Sequence, residues 1–188
     1  MAVVYGGVVR LRNWLYNRGV LRSVRLHAKV ISVGNVTVGG TGKTPLVERL
    51  AGFLRDEGRR VAVLSRGYGR KEKGIVVVSD GKEIRVNAEA AGDEPMLLAR
   101  RLKGIPVLVG RDRAVTGRIA VESFGCNVLL LDDAFQHRRV KRDLDFVSID
   151  STNLWGNGRL LPAGPLRESL GALARADVVL FARCDASS

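Results

Sequence analysis

The sequence has little of what would give its 188 residues a specialised architecture. It holds two cysteines, Cys126 and Cys184, in no CxxC pair and beside no histidine cluster, so neither a zinc site nor a redox motif is indicated. Thiols used this sparingly fit a reduced, cytoplasmic compartment. No run of about 18 uncharged apolar residues occurs, so no segment is expected to span a bilayer as a helix. The first nine residues are apolar, but Arg10 and Arg12 follow them, the reverse of a secretory signal. Aromatic residues make up only 5% of the chain and no nucleic-acid-binding motif appears, which leaves few platforms for base stacking. Acidic residues are missing from the whole stretch between Met1 and Val47.

What is present is globular. A hydrophobic fraction of 46% with 27% charged residues excludes a disordered or collagen-like chain. At roughly 150 residues per domain, the length suits one domain and a little more. The 31 Lys+Arg against 19 Asp+Glu leave a net charge of +12, so the surface field attracts polyanions: nucleic acid, anionic headgroups or phosphorylated substrates.

The acid-free stretch carries Arg10, Arg12, Arg18, Arg22, Arg25, Lys29 and Lys43. Val4, Val8, Leu11 and Leu15 recur at helical spacing with arginines beside them, which predicts a basic amphipathic helix over 8–26, interrupted near Gly19. Such a helix suits an anionic membrane surface. The alternative is that the stripe packs on the domain and the arginines are solvated. Residues 1–28 are set off as this basic amphipathic segment, with both readings open, and 29–188 as the folded domain.

From Lys29 onward, short apolar runs alternate with helical stretches. Residues 30–33, 61–64, 107–109, 128–131, 146–149 and 178–181 are continuous and rich in β-branched residues, the pattern of strands covered on both faces. Helix candidates lie near 44–57, 94–103 and 112–124. The order is that of an α/β fold with a doubly wound, mostly parallel sheet. Residues 74–86, with Ser79-Asp80-Gly81-Lys82 at their middle, read as an inserted β-hairpin.

The strongest chemical signal follows the first of these strands. Gly34-Asn35-Val36-Thr37-Val38-Gly39-Gly40-Thr41-Gly42-Lys43-Thr44-Pro45 lies between a strand and a helix, the context of a phosphate-binding loop and of a P-loop NTPase-type sheet. Glycines let successive N–H groups turn toward one anion and the helix start adds partial positive charge. Lys43 is expected to reach the β- and γ-phosphates and the Thr44 hydroxyl to ligate Mg²⁺. The strict pattern places glycine where Thr37 stands, and partitioning-type ATPases place lysine where Val38 stands, so the path of the loop is expected to differ from both.

Four apolar residues, 128–131, end in Asp132-Asp133, which puts both carboxylates at the ligand-binding end of a parallel strand. One can hold Mg²⁺ and the other orient a hydroxyl or accept its proton, though an Asp pair can also cap a turn. In Gly92-Asp93-Glu94-Pro95, Asp93 is explained equally by an N-cap and by a place at the metal or acceptor. Ser65-Arg66-Gly67-Tyr68-Gly69-Arg70 offers Arg66 and Arg70 to an anionic ligand, or simply to solvent. His137, in Gln136-His137-Arg138-Arg139, is a weaker candidate, since a lone histidine in a basic stretch is more often structural.

Taken together, these motifs and Leu161-Pro162-Ala163-Gly164-Pro165-Leu166-Arg167-Glu168 resemble the tetraacyldisaccharide 4′-kinase family, the lipid A kinases of Gram-negative bacteria. The resemblance covers about Arg10 to Arg183, and threonine at position 37 is what that family has. It implies a membrane-associated kinase that transfers the γ-phosphate of ATP to the 4′-hydroxyl of an acylated disaccharide 1-phosphate lipid at the anionic inner leaflet. It implies that Thr37, Val38, Gly39, Gly40, Thr41, Gly42, Lys43 and Thr44 bind ATP and that Thr44 and Asp132 hold Mg²⁺. It also implies that Asp93, Asp132 and Asp133 form the acidic catalytic group, with Arg66, Arg70 and His137 toward the substrate. No nucleic-acid partner is expected. Family members continue past the equivalent of Arg183 into a second lobe that helps close the site, so ATP binding is expected to survive in this chain better than turnover. The rival readings are a basic, nucleotide-dependent nucleic-acid-binding module and a soluble small-molecule P-loop kinase.

Overall fold

The apolar runs become seven strands of one sheet: β1 (Lys29–Gly34), β2 (Val61–Ser65), β3 (Val76–Asp80), β4 (Pro106–Val109), β5 (Val128–Asp132), β6 (Leu144–Asp150) and β7 (Val178–Ala182). The structure, a computed structural model, describes residues 1–70 and 73–184. The strand order is β3-β4-β2-β5-β1-β6-β7, and every neighbouring pair is parallel except β3 with β4.

Side chains alternate across the strands, so consecutive leucines of β5 serve opposite faces. Leu130 joins Val33, Val63 and Val107 beneath helices α2 (Lys43–Asp56) and α4 (Asp93–Arg101), which contribute Val47, Ala51, Met96 and Leu98. Leu129 and Leu131 join Leu64 and Leu108 beneath α5 (Arg113–Phe124), which contributes Ala114 and Ala120. Burial on both faces is why the central strands read as unbroken apolar runs, whereas β7 at the sheet edge departs from the expected two-sided cover and leaves Val179 and Phe181 exposed. A short helix, α3 (Ala88–Ala91), precedes α4, and a 3-10 helix spans Leu170–Arg175. From β1 the chain winds outward through β2 and β4, then returns at β5 and crosses to β6. The reversal therefore lies at β1 and β5, where doubly wound sheets open a crevice at the strand ends.

Two expectations are corrected. The N-terminal helix, α1, spans Ala2–Asn17 rather than 8–26. Gly19 ends it by adopting φ 72°, and the Arg18 and Gly19 N–H groups close on the carbonyls of Trp14 and Tyr16. Of the hairpin over 74–86, only the first arm is a sheet strand, β3, which pairs with the sheet edge. The second arm returns through an isolated bridge between Ser79 and Ile84, in a turn held by the Asp80 carboxylate, which accepts from the Lys82 and Glu83 N–H groups at 2.8 Å each.

Helix α1 is oriented against the usual rule. Val4, Val8, Leu11 and Trp14 are 68, 63, 58 and 51% exposed. Its polar groups face the domain instead: the Tyr5 hydroxyl donates to the Arg167 carbonyl at 2.9 Å, and Arg138 donates to the Asn13 carbonyl and the Asn17 side chain.

Candidate active site

The loop after β1 begins where no side chain fits. A Cβ at Gly34 would lie 2.6 Å from the Phe135 backbone nitrogen. The first half of the loop is then extended: Thr37 bridges antiparallel to Leu166, Val38 N–H donates to the Pro165 carbonyl, and Arg167 N–H donates to the Val36 carbonyl. An extended, paired residue needs no glycine, which accounts physically for Thr37. The second half turns through Gly39 at φ 111° and Gly42 at φ 74°, conformations that favour glycine. Gly42 caps α2, so Lys43 and Thr44 open the helix and no acid occupies its first turn. The tip is open, since a Cβ at Gly39 would meet nothing within 4 Å. Thr41 is buried behind it, its carbonyl accepting from the Ser148 hydroxyl of β6.

Parallel pairing of β1 with β5 sets Val33 opposite Asp132, so the two carboxylates stand one strand from the loop. Asp132 is 2% exposed and accepts from the Ser65 hydroxyl at 3.0 Å. Burial pushes its carboxyl up to about 6, with the Asp133 and Glu94 carboxylates adding to the rise and Ser65 and Lys43 opposing it. Asp133 takes a left-handed backbone, φ 47°. Arg167 Nη1 donates to both of its carboxylate oxygens at 2.9 Å, and the Lys43 ammonium stands 3.6 Å from Oδ1 and 3.4 Å from the Gly39 carbonyl. Burial alone would raise the Asp133 carboxyl, but Lys43 and Arg167 outweigh it and hold the group below the ordinary carboxylate range. Buried Arg113 closes the floor, donating to the carbonyls of Gly110 and Asp132 at 3.3 and 3.2 Å. Burial lowers its pKa to about 10, which leaves it cationic at neutral pH.

Lys43, Asp132 and Asp133 thus gather at adjoining strand ends, with Thr44 next to Lys43 in the first turn of α2 and the glycine turn over 39–42 beside them. Asp93 is set apart. It is exposed, and it is the first residue of α4 rather than its cap, a place taken by Gly92 at φ 89°. It lines a cavity of about 350 Å³ with Tyr68, Gly69, Ala88, Glu89 and Gly92, while its neighbour Glu94 is the acid that acts on Asp132. Arg66 is exposed, and its charge reaches Arg113 and His137. Arg70 donates to the Gly74 carbonyl within its own loop. Burial, then Arg113, push the His137 imidazole down to about 4, so it is neutral at physiological pH, and its backbone closes turns with Ala134 and Arg142. Three groups of the site escape motif reasoning. Ser65 and Arg167 sit inside recognised motifs whose other members attract attention first. Arg113 has no local signal, because only the tertiary packing buries it.

The donor set fits a magnesium ion. Mg²⁺ prefers hard oxygens, takes one or two protein carboxylates and fills its remaining sites with phosphate and water. The Thr44 hydroxyl and the desolvated Asp132 carboxylate are such donors, and a cation beside Asp132 would relieve the burial that raises its pKa.

The chain matches the family described as LpxK, tetraacyldisaccharide-1-P 4′-kinase, over residues 1–188. It belongs to that family. A tetraacyldisaccharide 4′-kinase of Syntrophus aciditrophicus is 60% identical over 176 residues, covering 93% of this chain and 47% of the relative. One from Geobacter sulfurreducens is 50% identical over 184 residues, covering 97% and 52%. An LpxK crystal structure from Aquifex aeolicus, in complex with ATP, superposes with a TM-score of 0.92 at 42% identity, covering 99% of this chain and 58% of that one. The chain therefore spans about half the length of the tetraacyldisaccharide 4′-kinases it matches.

Proposed function

We propose that the chain is the nucleotide-binding lobe of an ATP-dependent kinase that phosphorylates the 4′-hydroxyl of a tetraacylated disaccharide 1-phosphate. The observation that carries this reading is the meeting of Lys43 with the carboxylates of the adjoining strand, 3.6 Å from Asp133, at the mouth of an open glycine turn. The amides of residues 39–44 and the Lys43 ammonium hold the β- and γ-phosphates, and these fixed donors neutralise charge that develops during transfer. Thr44 and Asp132 hold Mg²⁺, which when bound supplies further neutralisation of the phosphate oxygens. Asp133, kept ionised by its two cations, is held mainly by Arg167, and Lys43 stands off from it at 3.6 Å. Asp93, set apart from Asp132 and Asp133 on the wall of its own cavity, has room for an acceptor hydroxyl and is the acid of the three left to manage its proton, since the other two are engaged with cations. Arg66, Arg70 and His137 line the approach on the substrate side.

Among the described residues no helix is long and apolar enough to cross a membrane. Helix α1 is instead read as lying in an anionic interface, its apolar side in the acyl region and Arg10 and Arg18 at headgroup level, where the acyl chains of the acceptor remain embedded.

The test is transfer of labelled phosphate from ATP to the tetraacyl acceptor in vesicles, run on this chain alone and on a form extended through the second half of the family. The extended form should turn over and its Lys43→Ala variant should lose at least about two orders of magnitude in kcat, the scale of losing one preorganised charge donor. A variant retaining near wild-type turnover would remove the loop from the mechanism.

A further inference from the structure

Arg167 and Glu168 are consecutive, yet they serve two different clusters. Arg167 covers Asp133. Glu168, fully buried at 0% exposure, accepts from Arg12 at 2.9 Å and Asn13 at 3.0 Å on α1, and from Arg175 at 2.8 Å on the 3-10 helix. A carboxylate so deeply desolvated persists only when its oxygens are filled, and here three donors fill them. Arg175 also lies over the Phe135 ring, 4.6 Å from its centroid, in the segment that carries Asp133. The backbone that seats Arg167 is therefore pinned from both sides.

Asp133 has two competing cations. Arg167 occupies both oxygens at 2.9 Å and Lys43 stands off at 3.6 Å. If Arg167 drifted away, Lys43 would be the nearest replacement, and an incoming phosphate would then have to displace a carboxylate to reach it. We propose that Glu168 is a positioning residue: by tying α1 and Arg175 to the Arg167 backbone, it keeps Arg167 on Asp133 and leaves the Lys43 ammonium available to anionic phosphate. The inference rests on reading Lys43 as the phosphate-binding lysine. It also gives the polar side of α1 a role separate from its exposed apolar side.

The test is calorimetric titration of the chain with ADP. Glu168→Gln should weaken ADP binding about tenfold, the size of a coupling between contacting charged groups. Adding Asp133→Asn to Glu168→Gln should recover most of that loss, because the competing carboxylate is gone. A purely structural role for Glu168 predicts no such recovery. Arg12→Gln approaches the same contact from the half-exposed rim of α1 and should weaken ADP about threefold with the same recovery, so it decides the matter if Glu168→Gln fails to fold by circular dichroism. Unchanged ADP affinity in the folded variants, or a loss that Asp133→Asn leaves in place, overturns the proposal. If the wild-type chain itself binds no ADP, the nucleotide reading of the loop fails first and the inference falls with it.

Discussion

Helices α1 and α5 carry comparable apolar residues and treat them in opposite ways. Helix α5 turns Ala114 and Ala120 into the sheet, each 0% exposed, with Gly117 placed where a Cβ would lie 2.4 Å from Leu26. Helix α1 presents Val4, Val8, Leu11 and Trp14 outward and docks through Tyr5, Arg12 and Asn13. Hydrophobic periodicity thus locates an apolar face without saying which phase will cover it. The chain's own core covers α5, and the polar docking of α1 leaves its apolar side for something outside the domain.

The same substitution on the two helices should separate them most sharply. Ala120→Asp buries an unpaired charge against the sheet and should cost at least about 4 kcal/mol, enough to unfold the chain in a thermal melt. Val8→Asp should leave the melting temperature within about 2 °C of wild type, as expected for a surface substitution worth under about 0.5 kcal/mol. It should nevertheless lower affinity for anionic vesicles about tenfold in a flotation assay. Equal loss of stability from both would show that α1 packs as α5 does.

The contrast extends to buried charge at the site. Asp132 has a folded pKa raised to about 6 against an ordinary 3.8, so the folded state binds more protons between these values and stability falls as pH rises through the window. Asp132→Asn should therefore raise stability at pH 8 by about 1–3 kcal/mol in urea titrations while abolishing transfer in the extended form. His137 behaves in the opposite sense. Its folded pKa is lowered to about 4 from 6.5, so the unfolded state binds more protons and stability falls as pH drops from about 6.5 toward 4. His137→Gln should flatten that acid limb by about 1 kcal/mol or more.

Much of the candidate site's edge is legible in the sequence because local chemistry fixes it. Glycines at 39 and 42 are needed where φ is positive, and the apolar run before Asp132-Asp133 can end only at a strand terminus. The partnership of Lys43 with Asp133 also follows once β1 and β5 are neighbours. What could not be read depends on distant segments meeting. The burial of Arg113, the grip of Arg167 on Asp133 and the clamp on Glu168 all join residues far apart in the chain. The limits of α1 differ from 8–26 at both ends: Gly19 at φ 72° stops the helix after Asn17, and its start reaches Ala2 through Gly6, which lies so close to Leu160 that a Cβ there would stand 2.9 Å from it.

The central claim, that the turn after β1 and Lys43 form a nucleotide phosphate site, is tested most directly by titrating the chain with Mg²⁺ and ATP in a calorimeter, beside Lys43→Ala. The account predicts one site per chain whose affinity drops at least about tenfold in the variant, as expected on losing a charge-assisted contact. Equal binding by the two proteins, with both folded, would contradict it.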